Sequence, residues 1–245
     1  MRQDVPRLQS RLQPGQRVLL KLSGEALSGH AGMGFCATFL SQLVIQVHFL
    51  RDQNLEICMV VGGGNFFRGR QALKALHRTT ADQMGMLATL LNGLALRDVF
   101  EGAGIPTDVM SALPLPGVVD PVSIHKADKA LKEDRFVVFV GGTGNPYFTT
   151  DTGAVLRAVE LGCDVLLKGT QVDGVYDADP KKYPEAKFFP EVSYETILNH
   201  QLAVMDLTAI TLAQENRLPL GICSLASPQA LQDVWQGKAR FTWVS

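Results

Sequence analysis

Two apolar runs in this chain end alike, and two others end in a second common way. Val60-Val61-Gly62-Gly63-Gly64-Asn65 and Val140-Gly141-Gly142-Thr143-Gly144-Asn145 pass from β-branched residues into glycines and finish on asparagine. Val18-Leu19-Leu20-Lys21-Leu22-Ser23-Gly24 and Val165-Leu166-Leu167-Lys168-Gly169-Thr170 instead meet a lysine and then small or hydroxyl residues. Short apolar runs closed by glycine or polar turns, alternating with longer segments of helical period, form the pattern of βα units around a mainly parallel sheet. The predicted strands are 17–22, 56–61, 107–110, 136–140, 164–167, 218–224 and 241–244. Helices are predicted over 38–52, with Leu40, Leu43, Val44, Val47 and Leu50 on one stripe, and over 82–99, with Met84, Leu87, Leu90, Leu91 and Leu94. Further helices are expected over 123–133, 151–161, 193–199, 207–217 and 228–236. Residues 173–191, with an Asp-Gly turn, three prolines and many charges, read as a surface excursion.

Composition narrows the function classes. With 245 residues, 46% of them hydrophobic, the chain can bury a substantial core. Its 23 basic and 24 acidic residues are scattered, which speaks against nucleic-acid and membrane surfaces. Cys36, Cys58, Cys163 and Cys223 are far apart in apolar segments without zinc spacing, so they read as buried free thiols. No segment approaches the ~20 apolar residues of a membrane span, and residues 1–16 form a polar extension unlike a signal peptide. A cytoplasmic location is the default expectation.

In an open α/β sheet, ligands bind beyond the carboxyl ends of the strands. Glycines there let backbone N–H groups approach an anion, and a following helix N-terminus adds partial positive charge. Alone, Gly62 to Gly64 reads equally as a tight turn, and a single strand-end lysine reads as a solvated one. The pairing of two glycine tips with two lysine tips, and with Arg68 nearby, favours a site for more than one phosphate. It is neither the dinucleotide fingerprint nor Walker A, since no G-x-G-x-x-G follows the first strand and no G-K-[ST] occurs. His30, His48, His77, His125 and His200 sit in no catalytic motif, and there is no G-x-S-x-G elbow. Asp151, Asp179 or Asp206 could assist a magnesium ion carried on nucleotide phosphates, Asp151 foremost because it opens a helix after the second glycine tip.

Taken together, five motifs resemble the bacterial uridylate kinases of the amino acid kinase superfamily. They are Lys21-Leu22-Ser23-Gly24-Glu25-Ala26-Leu27; Gly62-Gly63-Gly64-Asn65 with Phe67-Arg68-Gly69; Asp82 with Met84-Gly85-Met86-Leu87-Ala88-Thr89; Thr143-Gly144-Asn145-Pro146-Tyr147-Phe148-Thr149-Thr150-Asp151; and Val172-Asp173-Gly174-Val175-Tyr176 with Asp179-Pro180. The resemblance runs from Arg17 to about Gly237. It implies a three-layer α/β/α sandwich of the carbamate kinase-like fold, a single domain over 17–245 with an acceptor lobe near 17–162 and a donor lobe near 163–245. It also implies transfer of the ATP γ-phosphoryl to UMP for pyrimidine nucleotide synthesis, with Mg2+ carried by ATP, no protein metal cage, and a homohexamer. The ATP contacts implied are Lys21, Leu22, Ser23, Gly24, Gly64, Arg68, Thr170, Tyr176 and Asp179. Those implied for UMP are Gly63, Asp82, Thr143, Gly144, Asn145, Pro146, Tyr147, Phe148, Thr149 and Thr150. The segment Gly29, His30, Ala31, Gly32, Met33 and Gly34 corresponds to one linked to GTP activation, and UTP inhibition is typical of the family. This chain departs from the family pattern at Ala81, Gln83, Gly169 and Gln171.

On this reading Lys21 and Lys168 flank the moving phosphoryl group, Asp151 orients them, and the glycine loops donate N–H groups to phosphates. Asp82, opening its helix, would accept the ribose hydroxyls. Gly63 would face the acceptor phosphate, and Gly64 with Arg68 the donor. A phosphate monoester is mostly dianionic above its second pKa of about 6, so no general base is required. Two rivals remain: a relative that phosphorylates a carboxylate or carbamate, and a nucleotide-binding regulator without catalysis.

Overall fold

The computed structural model describes residues 7–67 and 76–245. Arg68 and Gly69 lie outside the described residues, as does the side chain of His30. The strands are β1 (Arg17–Leu22), β2 (Glu56–Val61), β3 (Thr107–Ser111), β4 (Asp120–Pro121), β5 (Phe136–Val140), β6 (Val165–Thr170), β7 (Val175–Tyr176), β8 (Phe188–Phe189), β9 (Glu191–Val192), β10 (Leu220–Ser224) and β11 (Phe241–Val244). The helices are α1 (Gly24–Ser28), α2 (Ala37–Asp52), α3 (Arg78–Gly102), α4 (Ile124–Lys132), α5 (Thr150–Glu160), α6 (Tyr194–His200), α7 (Leu207–Glu215) and α8 (Ala230–Trp235).

Nine strands form one sheet in the order β4-β3-β5-β2-β1-β6-β10-β11-β9, while β7 and β8 pair separately. Every neighbouring pair in the large sheet is parallel except β10 with β11. Alternation along the strands splits the core into two layers, because successive side chains point to opposite faces. Leu20, Leu22, Met59, Val61, Val138 and Leu167 pack under α2, α3 and α8. Leu19, Val60, Phe139, Leu166 and Ile222 pack under α4, α5, α6 and α7. The chain is therefore the expected three-layer α/β/α sandwich. Leu8 and Leu12, within the expected N-terminal extension, are buried in the first layer.

The differences from expectation are informative. β6 runs on through Lys168 and Gly169 to Thr170, although glycine and threonine read as loop chemistry. Both neighbours supply ladder partners there, Lys21 for Lys168 on one side and Ser224 for Thr170 on the other. The excursion at 173–191 carries the β7–β8 ribbon, with Val175 opposite Phe189. Cys58, Cys163 and Cys223 are buried free thiols, but Cys36, just before α2, is only half-buried.

Helix α2 packs its expected stripe on the core, but α3 does so only with Leu90 and Leu94. It spans 25 residues and turns Ala81, Ala88, Thr89, Asn92, Gly93, Leu96 and Phe100 inward, while Met84, Leu87 and Leu91 face out. The cause is proximity. A Cβ on Gly93 would lie 2.5 Å from Val140 Cγ1 and 3.1 Å from Val109 Cγ1, so only small residues fit where this helix crosses the sheet. Gly93→Val should therefore destabilise the fold by about 1–3 kcal/mol through overpacking. Urea unfolding at wild-type stability would show that α3 does not need this approach.

Candidate active site

The parallel register sets the site. Lys21 on β1 stands directly beside Lys168 on β6, matching the two sequence runs residue for residue from Val18 opposite Val165 to Leu22 opposite Gly169. Paired residues share a face, so both lysines project toward α5. Thr149 caps α5, its hydroxyl accepting from the N–H groups of Asp151 (3.0 Å) and Thr152 (3.4 Å). This places Asp151 in the first turn, where the helix dipole favours a carboxylate.

Asp151 bridges the lysines, Oδ1 pairing with Lys21 Nζ and Oδ2 accepting from Lys168 Nζ at 2.7 Å. Lys168 Nζ also donates to the Val204 carbonyl at 2.6 Å. Burial pushes the Asp151 carboxyl up, but the two ammonium groups outweigh it and hold it below the usual carboxylate range. Burial pushes Lys168 down; Asp151 opposes this, Lys21 adds to it, and the group lies below the ordinary lysine value. An ammonium carries three N–H donors, so this pair keeps donor capacity for an anion at the strand ends.

The two glycine loops need glycine for different reasons. Gly141, Gly142 and Gly144 have φ of +80°, +58° and +80°, a region other residues rarely adopt. In the first loop it is Gly63 that close packing demands, while Gly62 and Gly64 are tightly but less strictly confined. A Cβ on Gly63 would lie 2.7 Å from both Ala88 Cβ and Gly85 O, and one on Gly24 would lie 2.5 Å from Gly64 N. Several N–H groups expected to face phosphate are committed within the protein. Gly62 N donates to Leu22 O (2.9 Å), Gly141 N to Thr89 Oγ1 (2.7 Å) and Gly144 N to Gly141 O (2.9 Å).

A cleft of about 150 Å³ opens beside Asp151, lined by Gly63, Asp82, Thr143, Asn145, Phe148, Thr149 and Thr150 among the expected acceptor residues. Gly144, Pro146 and Tyr147 belong to the same loop but do not line it. Asp82 does not open its helix, since α3 begins a turn earlier at Arg78. Its carboxylate accepts from Arg78 Nε (2.8 Å) and from the Tyr147 backbone N–H (2.8 Å), closing the loop against the helix.

The expected donor residues are spread more widely. Ser23 caps α1, and with Leu22 and Thr170 it lines a cavity of about 560 Å³ beside α2. Tyr176 donates its hydroxyl to Asp173 at 2.6 Å, and Asp179 accepts from Lys181 N at 3.0 Å; both lie in the excursion, and neither lines that cavity. A polar cavity of about 610 Å³ lies around β3 and β4 and holds none of the expected residues. Gly169 has a local cause, since a Cβ would lie 2.3 Å from Leu225 Cδ1. Gln171 accepts from Lys181 Nζ at 3.5 Å, while Ala81 is buried and Gln83 exposed on α3.

Gly29–Ala31 form a short 3-10 helix, followed by a bend with Gly32 and Gly34 at φ +74° and +72°. Asn65 Nδ2 donates to Gly34 O (2.9 Å) and to Asn92 Oδ1 (2.9 Å), and Asn92 Nδ2 donates to Gly62 O (2.6 Å) and Asn65 Oδ1 (2.8 Å). Sequence reading missed Asn92. Its signal was a lone amide inside an apolar helical stretch.

No group of three metal-binding side chains occurs among the described residues. The Asp151 oxygens face ammonium groups, and those of Asp206 accept from the Thr149 and Thr152 hydroxyls and from Ala209 N. These donor sets do not fit a cation held by side chains alone.

The sequence model of the "Amino acid kinase family" matches residues 16–224. A uridylate kinase of Magnetococcus marinus is 49% identical over 228 residues, covering 93% of this chain and 95% of the relative. One of Rickettsia prowazekii is 46% identical over 230 residues, covering 94% and 95%. The crystal structure of UMP kinase from Ureaplasma parvum superposes with a TM-score of 0.90 at 36% identity, covering 95% of this chain and all of that one. The UMP kinase of Bacillus anthracis gives 0.90 at 33% identity, covering 95% and 97%.

Asp151→Asn would leave two buried ammonium groups without their shared counter-charge. A loss of about 3–5 kcal/mol in denaturant unfolding is expected near neutral pH. Because the folded carboxyl lies below its ordinary value of 3.8, its contribution is present above that pH and is lost as pH falls through the folded pKa. The wild-type and variant stabilities should therefore converge in acid; a gap independent of pH would refute the ionic account.

Proposed function

The chain belongs to the amino acid kinase family, and from that premise we propose that it transfers the γ-phosphoryl group of ATP to UMP, giving UDP and ADP. It is an enzyme of pyrimidine nucleotide metabolism. The observation that carries the reading is the Lys21–Asp151–Lys168 bridge, held by strand register beside the cleft lined by Asp82, Thr143, Asn145, Phe148, Thr149 and Thr150.

Phosphoryl transfer needs positioning and charge stabilisation more than acid–base chemistry, because charge spreads over the moving group in a loose transition state. Lys21 and Lys168 supply that charge, and Asp151 fixes their spacing. The UMP phosphate is the nucleophile, ionised without a general base above its second pKa of about 6. UMP occupies the cleft of Gly63, Asp82 and Thr143 to Thr150, with Asp82 turning from Arg78 and Tyr147 toward the ribose. ATP lies across the ends of β1 and β6, with Ser23, Gly24, Gly64, Thr170, Tyr176 and Asp179 as its further contacts. Mg2+ travels on the triphosphate, in keeping with carboxylates already engaged by protein donors.

The segment 29–34, tied through Asn65 and Asn92 to the glycine loop, is suited to carry a GTP response, and UTP would compete as a product-side inhibitor. The exposed Met84, Leu87 and Leu91 of α3 support association of copies, in the proposed hexamer. No helix among the described residues is long and apolar enough to cross a membrane, which is compatible with work in the cytoplasm.

A coupled assay of ADP release with UMP, CMP, dTMP, aspartate and N-acetylglutamate tests the reading, and release should be greatest with UMP. Lys21→Ala in a folded protein should lower kcat by on the order of 10²-fold or more. Release with aspartate but not UMP would overturn the assignment.

A further inference from the structure

The caps of two helices are fused at the back of the lysine pair. Asp206 is the N-cap of α7, its Oδ1 accepting from Ala209 N at 3.0 Å. The same carboxylate accepts from the Thr149 hydroxyl and from the Thr152 hydroxyl (3.0 Å to Oδ1, 3.1 Å to Oδ2). Thr149 in turn caps α5 through the N–H groups of Asp151 and Thr152. Two residues before Asp206, the Val204 carbonyl accepts from Lys168 Nζ. Both groups that hold the Lys168 ammonium, Asp151 Oδ2 and Val204 O, thus belong to segments joined by one carboxylate.

We propose that Asp206 is a positioning residue for phosphoryl transfer, clamping the start of α5 to the start of α7 so that Asp151 and Val204 hold the Lys168 ammonium in place. This rests on the kinase reading above. Sequence reading considered Asp206 only as an assistant to magnesium, a role its committed oxygens do not suit. The charged groups acting on Lys168 are Asp151 on α5, Lys21 on β1 and Asp206 at the head of α7, with burial as the dominant influence. Asp206 favours the protonated lysine, so its neutralisation should cause the ammonium to be lost at lower pH.

The test is Asp206→Asn, with kcat, both KM values, the pH–rate profile and Tm measured on the full chain. A reactive group displaced by about 1 Å can cost on the order of 10²-fold in rate, so kcat should fall between about 10-fold and 10²-fold. Both KM values should stay within about threefold, and the alkaline limb should move to lower pH. A kcat within about twofold of wild type with an unmoved alkaline limb would overturn the proposal, whatever happens to Tm. If Asp206→Asn does not fold, Thr152→Val removes one clamp hydroxyl at nearly constant shape, and an unchanged kcat there overturns it equally. Absence of UMP-dependent ADP release by the wild-type protein would instead refute the kinase reading, so the two failures are distinct.

Discussion

One buried carboxylate between two lysines is the interaction on which the rest of the structure turns. Lys21 and Lys168 are neighbours in a parallel ladder, and two ammonium groups at that spacing, out of water, repel. Asp151 makes the arrangement tolerable, and it does so from a helix N-terminus that stabilises its charge. The sheet, the register and the entry angle of α5 all serve to bring these three groups together. One carboxylate offsets only part of the charge of two ammonium groups.

Around that centre, backbone segments approach so closely that side chains are excluded. The β1–α1 turn, the β2 tip and α3 meet at Gly24, Gly63 and Ala88, and α3 crosses the sheet at Gly93. Asn65 and Asn92 satisfy one another in this crowded region, each amide both donating and accepting. Buried amides are tolerated only when such partners are complete, which fixes the loop and the helix to one relative position. The floor of the cleft is therefore set by backbone packing, whereas its far wall, near Asp82 and Tyr147, is held by exposed polar contacts that a ligand can replace.

Much of this was legible in the sequence because strand ends carry their chemistry openly. The echo between the Val18 and Val165 runs is the ladder register itself, and the second glycine run needs positive φ as its composition suggests. What misled was size. On α3 the predicted stripe is only half right, Leu90 and Leu94 packing on the core while Met84, Leu87 and Leu91 face out, because periodicity reports apolar area and not the space available, and here small residues were demanded. Gly62 to Gly64 read alone as either a tight turn or an anion site, and the close packing of Gly63 on Ala88 and Gly85 is a further demand that the sequence does not display. The partners of Asp82, Asn92 and Asp206 could not be read at all, since each joins segments far apart in the chain. Arg68, part of the same sequence argument, falls outside the described residues.

The pairing of β1 with β6 also bears on how the molecule is made. The two lysines are separated by roughly 150 residues, and bringing such distant segments together carries a loop-closure cost that grows only with the logarithm of length but must be met before contact is gained. Until β6 arrives, β1 is a raw sheet margin with an unpaired ladder, the kind of surface that invites self-association during synthesis. The pairing of Lys21 with Lys168 is thus also the seam along which distant segments of the chain are joined, and the event that sets the two lysines side by side is the one that removes this hazard.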